Sequence, residues 1–381
     1  MLPQNIVIAP DSFKESLTAK EACESIREGI LEIMPRVNIM MIPMADGGEG
    51  TVQSLLDATI GKRISVLVHD PLGRKIESFF GILGDGKTAV IEMAAASGIE
   101  LLTNREKDPT VTSTHGTGEL IRAAMDEGCN KILLGIGGSA TNDGGAGMVQ
   151  ALGGQLLDEN GFELTPGGGQ LSKLAKINLN NLDPRLKSIE IVVASDVDNP
   201  LLGEKGASEI FGPQKGAKYQ EVKELDENLT HFAEIVENHL GKQFRDFPGA
   251  GAAGGLGFGM MAFLNAQLKP GFEVIAQQTG IEDFIKKSDL VITGEGKIDS
   301  QTRYGKTPYG IAMLAKKYMV PVIAFAGKVE SNAKEMYKDL FDKIIPIANT
   351  GISQEEAMKN AAALLRMATA KEMKQYIRKK L

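Results

Sequence analysis

The alternation of short apolar strands with amphipathic helices stops near residue 64 and returns only after residue 281, and any fold for this chain must accommodate that interruption. Residues 5–10 form a β-branched apolar run of the kind buried in parallel sheets. Thr18 with Glu21 three residues on is a capping-box pattern, which predicts a helix running to about Met34, where Pro35 ends it. A second strand is expected over 37–44, then a Gly-rich turn at 45–51 and a helix over 52–58. Beyond 281 the same rhythm gives strands at 289–293, 320–325 and 343–347, with helices at 307–318, 331–340 and 353–377. Two strands before the break and three after it predict an α/β fold whose first part is a flavodoxin-like parallel-sheet domain, order 2-1-3-4-5, formed by 1–63 and 282–381. An inserted mixed α/β domain would occupy 64–281, where strands at 64–68, 76–83 and 88–94 follow one another across hairpin signals containing Asp70-Pro71-Leu72-Gly73 and Gly84-Asp85-Gly86.

In a sheet of that order, ligands gather outside the carboxyl ends of the strands, at the point where the strand order reverses. The residues that follow the two strands flanking that point are Asp11, Ser12 and Lys14, and Glu295, Lys297 and Asp299. The insert offers a second focus. Residues 131–148 run from an apolar strand into a loop of Gly, Ser, Thr, Asn and Asp, and a helix is expected from about Ala146 to Leu152. Such a loop can turn backbone N–H groups toward an anion, and a helix N-terminus favours the same charge. Gly137, Gly138, Ser139, Thr141, Asn142, Asp143 and Gly144 are therefore expected to hold a phosphate, with Lys215 as a further cation. A rival reading is available, because residues 135–140 match GxGxxA after a strand and Asp158 stands near the offset of a ribose-binding acid. That reading would make the chain an NAD(P)-dependent hydroxy-acid dehydrogenase. Against it, the polar loop continues through Gly145 where the fingerprint should already be helix. Residues 300–307 end in Gly-Lys-Thr but begin with Ser, so they are not a Walker A loop.

Asp11, Asp46, Asp143, Asp196, Glu295 and Asp299 all follow expected strand ends or lie in Gly-rich loops. A kinase acting on a hydroxyl needs one carboxylate to take or orient its proton and others to hold Mg²⁺, and cations to spread the phosphoryl charge. Lys14, Lys215 and Lys297 are the candidate cations. Asp196, before the turn fixed by Pro200, is the expected base, with Asp11 and Asp299 next; Ser12, Asp46, Gly47, Gly48, Glu295 and Lys297 are assigned to the second substrate. Which residues hold the metal is left open. The net charge of −7 argues against a nucleic-acid or anionic-membrane surface. Cys23 and Cys129, far apart in sequence, make neither a disulfide framework nor a CxxC site, and with no apolar run of membrane-spanning length the expected compartment is the cytoplasm. Four histidines are scattered without a zinc-type spacing; His115, in a Thr- and Gly-rich turn, stands apart from the rest.

Seven segments carry a resemblance: PDSFKES at 10–16, MADGGEG at 44–50, THGTGE at 114–119, GGSATNDGG at 137–145, FGPQKG at 211–216, PGAGAAGG at 248–255 and GEGKID at 294–299. In this order, across essentially the whole chain, they resemble the bacterial glycerate kinase family, type I. The resemblance implies ATP-dependent phosphorylation of D-glycerate, usually to 2-phosphoglycerate, with Mg²⁺, in a two-domain α/β protein; a homodimer is one assembly it allows. A non-catalytic sugar-acid-binding protein and the dehydrogenase are the rival classes.

Overall fold

The structure, a computed structural model, describes residues 2–303, 305–348 and 351–380. The chain divides into two compact units, one of Met1–Asp46, Gln53–Ile60 and Phe272–Leu381, the other of Gly47–Val52 and Gly61–Gly271. Thirteen strands are found among the described residues: β1 (Asn5–Ile8), β2 (Asn38–Met41), β3 (Lys62–His69), β4 (Lys75–Ile82), β5 (Thr88–Glu92), β6 (Lys131–Gly135), β7 (Gln155–Leu157), β8 (Lys176–Asn178), β9 (Glu190–Ala194), β10 (Gln267–Lys269), β11 (Leu290–Ile298), β12 (Val322–Val329) and β13 (Lys343–Pro346).

The first unit holds a five-stranded parallel sheet in the order β13-β12-β11-β1-β2, which is the flavodoxin-like order expected. Ile6 and Ile8, Ile292, Ile323 and Phe325 bury their side chains in one cluster with Ile26 and Leu365 from the helices at Ala19–Leu31 and Ala361–Lys380. The capping box forms: Glu21 N–H donates to Thr18 Oγ1 at 3.2 Å, and the Thr18 amide donates to Glu21 Oε2 at 2.9 Å.

The second unit is built on a six-stranded mixed sheet, β10-β9-β6-β5-β4-β3. β3, β4 and β5 are antiparallel neighbours, joined by the two expected hairpin turns, and β5, β6, β9 and β10 run parallel. A small β7–β8 pair stands apart.

Three expectations change. β11 runs five residues past its expected end, because its ladder with β12 continues to Ile298 opposite Val329. The helix expected over 331–340 shrinks to the single turn Ala333–Met336. The closing helix is broken at Asn360 into Gln354–Lys359 and Ala361–Lys380. The Gly-rich stretch at 248–259, for which no element was expected, leads into the helix Ala252–Leu264, where Ala253, Gly254 and Gly255 take left-handed dihedrals.

Candidate active site

In the first unit the backbone beyond β1 continues alongside β11. The Ala9 amide donates to the Ile292 carbonyl and the Asp11 amide to that of Gly294, both at 2.8 Å, so the sheet itself sets Asp11 next to Glu295. Gly294 is required here, since a Cβ would lie 2.4 Å from the Phe325 carbonyl oxygen. Glu295 and Lys297, two apart, share one face of β11, where Glu295 is buried and Lys297, nearer the strand end, is exposed. Glu295 and Lys297, expected in a loop, therefore sit on a central strand. Asp299 follows its end.

The Asp11 carboxylate accepts from the Ser12 amide at 2.6 Å and from Thr307 Oγ1 at 2.7 Å. Burial, with the negative charge of Asp46, pushes its pKa up to about 6 against the lowering effect of those donors. Burial likewise lifts Glu295 to about 7, opposed by Lys306 at 3.4 Å and by a 3.0 Å hydrogen bond from Thr302, and reinforced by Asp11. Burial would raise Asp299 too, but hydrogen bonds from Lys297 and the Gln301 amide, with the charge of Lys306, hold it below the ordinary range. Lys297 bridges Asp299 at 2.7 Å and Glu330 at 3.0 Å. Lys14 is exposed and Ser12 half-buried. Lys306, Thr302 and Thr307 were missed in the sequence. They lie in the segment set aside as a failed Walker A loop, and its Gly-Lys-Thr ending was the available signal.

Two raised carboxyl groups in one place make the first unit's stability pH-dependent. Glu295 ionises near pH 4.5 unfolded and near 7 folded, so the fold binds its proton more tightly. That contribution is complete below pH 4.5 and is lost as pH rises through 7. Glu295→Gln is therefore expected to melt a few degrees above the wild type at pH 8 and level with it at pH 4.5, measured by calorimetry at both pH values. An equal shift at the two pH values would contradict the assignment.

In the second unit the loop after β6 is less open than expected. Thr141, Asn142 and Asp143 are fully buried. The amides of Ala140 and Gly144 donate to the carbonyls of Ser97 and Gly254, and that of Ala146 to Asp143 O. Asp143 gathers the rest: its carboxylate accepts from the amides of Thr114, Gly145 and Gly147 and from Thr114 Oγ1 at 2.8–3.2 Å. Burial raises its pKa against those bonds. Lys215 is 1 % exposed and donates to the Thr141 carbonyl at 2.7 Å; burial lowers it to about 7, with Asp143 opposing. Asp143, Gly144 and Lys215, expected in the phosphate cradle, tie the loop to its own unit, and the exposed part is Gly137 and Gly138. Ser139 is buried with the remainder.

The second Gly-rich turn lies against that exposed part. A Cβ on Gly135 would meet the Gly47 carbonyl oxygen at 2.4 Å, and one on Gly137 would meet Gly48 Cα at 3.5 Å. Glu92, at the end of β5 and unmarked in the sequence reading, accepts from the Val52 amide at 2.8 Å and so anchors the turn. Asp196 is exposed beyond β9, and its Oδ1 accepts from the Gly271 amide at 2.8 Å. The structure thus groups Asp11, Ser12, Glu295, Lys297 and Asp299 in the first unit, with Asp46 near enough to act on Asp11, and Gly47, Gly48, Gly137 and Gly138 in the second. The nicotinamide reading loses its ribose acid, because Asp158 is spent on the amides of Asn160 and Phe162 at 2.9 Å within its own turn.

A flavodoxin-like sheet with cation-paired acids at its reversal point, joined to a mixed α/β unit with apposed Gly-rich turns, places the chain among small-molecule phosphotransferases. The chain belongs to the glycerate kinase family, whose model matches residues 6–377. It is 53 % identical over 357 residues to a glycerate kinase of Bacillus subtilis (strain 168), covering 94 % of each chain. It is 51 % identical over 356 residues to a glycerate 2-kinase of Escherichia coli (strain K12), covering 93 % of each. A crystal structure of a proposed glycerate kinase 2 from Salmonella typhimurium LT2 superposes with a TM-score of 0.92 at 45 % identity, covering 100 % of both chains. Among the described residues no helix is long and apolar enough to cross a membrane.

Proposed function

We propose that this glycerate kinase transfers the γ-phosphoryl group of ATP to the 2-hydroxyl of D-glycerate, giving 2-phosphoglycerate and ADP, as a cytoplasmic enzyme. The observation that carries the chemistry is Asp11, a carboxylate fixed by Ser12 and Thr307 with its pKa raised to about 6. A hydroxyl is hardly ionised at neutral pH, and a base works best when its pKa lies near the working pH. Asp11 meets that condition and is preferred here to Asp196, the exposed acid first expected in that role. Lys306 and Lys297, tied to Glu295, Asp299 and Glu330, supply the positive charge beside it.

Mg²⁺ accompanying a nucleotide keeps several waters and needs only one or two protein carboxylates besides the phosphates. Asp46, whose charge acts on Asp11, offers an oxygen donor of the right kind. A cation bound there would neutralise charge on the transferring phosphoryl group. Support for glycerate as substrate comes from the relatives, and support for the 2-position from the one called glycerate 2-kinase. The test is to incubate the purified chain with D-glycerate and either ATP or NAD⁺ and to identify the product by ³¹P and ¹³C NMR. The 2-phosphate ester formed with ATP alone is the expected result; the 3-ester overturns the position, and NADH formation the class.

Gly137 and Gly138 are proposed to approach the ATP phosphates. Gly137 gives the cleaner probe, because its φ is not positive and its built Cβ has only Gly48 Cα near, at 3.5 Å. Gly137→Val is expected to leave the melting temperature nearly unchanged and to weaken ATP binding at least tenfold, about 1.4 kcal/mol, in a calorimetric titration. Unchanged affinity in the folded variant would remove ATP from this loop.

A further inference from the structure

We propose that His69, His115 and Glu119 form a binding site in the second unit for a divalent transition-metal ion of the zinc class. His69 closes β3, His115 opens the helix His115–Asp126, and Glu119 lies one turn further on, so His115 and Glu119 share a helix face. His69 Nδ1 stands 2.8 Å and His115 Nε2 3.8 Å from Glu119 Oε1, and one ligand atom from each of the three side chains lies within 4.8 Å of the others. Zinc–nitrogen and zinc–oxygen bonds of about 2.0–2.1 Å set tetrahedral ligand atoms roughly 3.3 Å apart, so small side-chain movements close the set on an ion. No other group of three or more His, Cys, Asp or Glu residues with this proximity occurs among the described residues, the acids of the first unit included.

The backbone beneath the three side chains is firmly held. A Cβ on Gly116 would lie 1.9 Å from the His69 carbonyl oxygen, so only glycine lets the helix come this close to β3. The His69 amide donates to Glu119 Oε2 at 2.6 Å, and the His115 amide to Ser113 Oγ at 3.2 Å. These contacts fix where the donors can reach, as outer-shell bonds do in metal sites. Two imidazoles and one carboxylate suit Zn²⁺ or Co²⁺ and disfavour Mg²⁺, which takes oxygen donors. The three side chains are 22–38 % exposed, which leaves entry for the ion and room for a fourth ligand from solvent. In the absence of an ion, the same geometry serves as a His–Glu hydrogen-bonded pair that joins β3 to the helix.

The experiment uses the full chain, stripped with a chelator and titrated with Co²⁺ under excess Mg²⁺. The expected result is one equivalent bound, a visible absorption band of four- or five-coordinate cobalt, and displacement of that band by Zn²⁺. His115→Ala should weaken binding at least about tenfold. His69→Gln, which preserves a polar side chain, should do the same, while His239→Ala, exposed on the helix Tyr219–Leu240, should not. Circular dichroism establishes that each variant is folded. No saturable cobalt band overturns the proposal, as does a band that survives both His69→Gln and His115→Ala.

Discussion

Asp11→Asn is expected to lower kcat by roughly 10²–10⁴ while changing ATP affinity little. The amide fits the same space: its oxygen can still accept from the Ser12 amide, and its NH₂ can donate to Thr307 Oγ1 with the hydroxyl turned to accept, so the surroundings are largely preserved. It cannot take a proton. Loss of one negative charge beside Asp46 also removes a repulsion, so the variant should be no less stable than the wild type. The wild-type pH profile of kcat/KM should rise with a midpoint near the pKa of about 6, and that limb should vanish in the variant. Steady-state kinetics of Asp11→Asn beside Asp196→Asn decides between the two carboxylates. If Asp11→Asn keeps more than a tenth of wild-type kcat and Asp196→Asn does not, the base is Asp196.

Gly254→Ala should have the largest effect on stability. Gly254 has φ +70, and a built Cβ falls 1.9 Å from the Thr141 carbonyl oxygen and 2.7 Å from Asn142 Cα. Backbone meets backbone here, so no side chain can swing aside. The Thr141 carbonyl is also the acceptor of Lys215, and the Gly254 carbonyl that of the Gly144 amide. Moving either strand of this contact breaks both bonds. Left-handed strain costs about 1 kcal/mol, and forced displacement of packed backbone about 1–3 kcal/mol more. At about 2–4 °C per kcal/mol, the melting transition should fall by roughly 5–15 °C, read by calorimetry. A fall of under 2 °C would show that this packing is looser than described.

The five-stranded order was legible because its inner strands are buried on both faces and read as continuous apolar runs; Ile6 to Ile8 and Leu290 to Ile292 leave little choice. The acids at the reversal point were legible for the same reason, since topology alone brings Asp11 and Glu295 together. The interior of the Gly-rich loop was not. Its composition suits an anion cradle and a buried, self-satisfied turn equally well, and the partners that decide between them, Thr114, Gly254 and Lys215, come from distant parts of the chain. The helix Ala252–Leu264 was hidden by its own glycines. Four of its first eight residues are Gly, which argues against helix on propensity, and they are accommodated because the segment packs too closely for side chains, Gly254 against Thr141, Gly255 and Gly259 against Gly144 and Gly145, and Gly257 against Gly249. Glu295 and Lys297 looked like loop residues because charge at a strand end resembles a turn, and only the pairing with β12 shows that the strand goes on.

That extension of β11 bears on how the enzyme would lose activity under heat. Glu295 and Lys297 stand on a strand paired with β12 along most of its length, with β1 on the other side of its first half, over Leu290 to Ile292. Backbone in such a position opens to solvent only when the whole sheet comes apart, whereas a site carried on loops can fray early. Hydrogen exchange at the amides of residues 291–298 should then be among the slowest in the first unit. Thermal inactivation should coincide with the unfolding of that sheet, leaving no temperature range in which its fold persists while its acids have lost their arrangement.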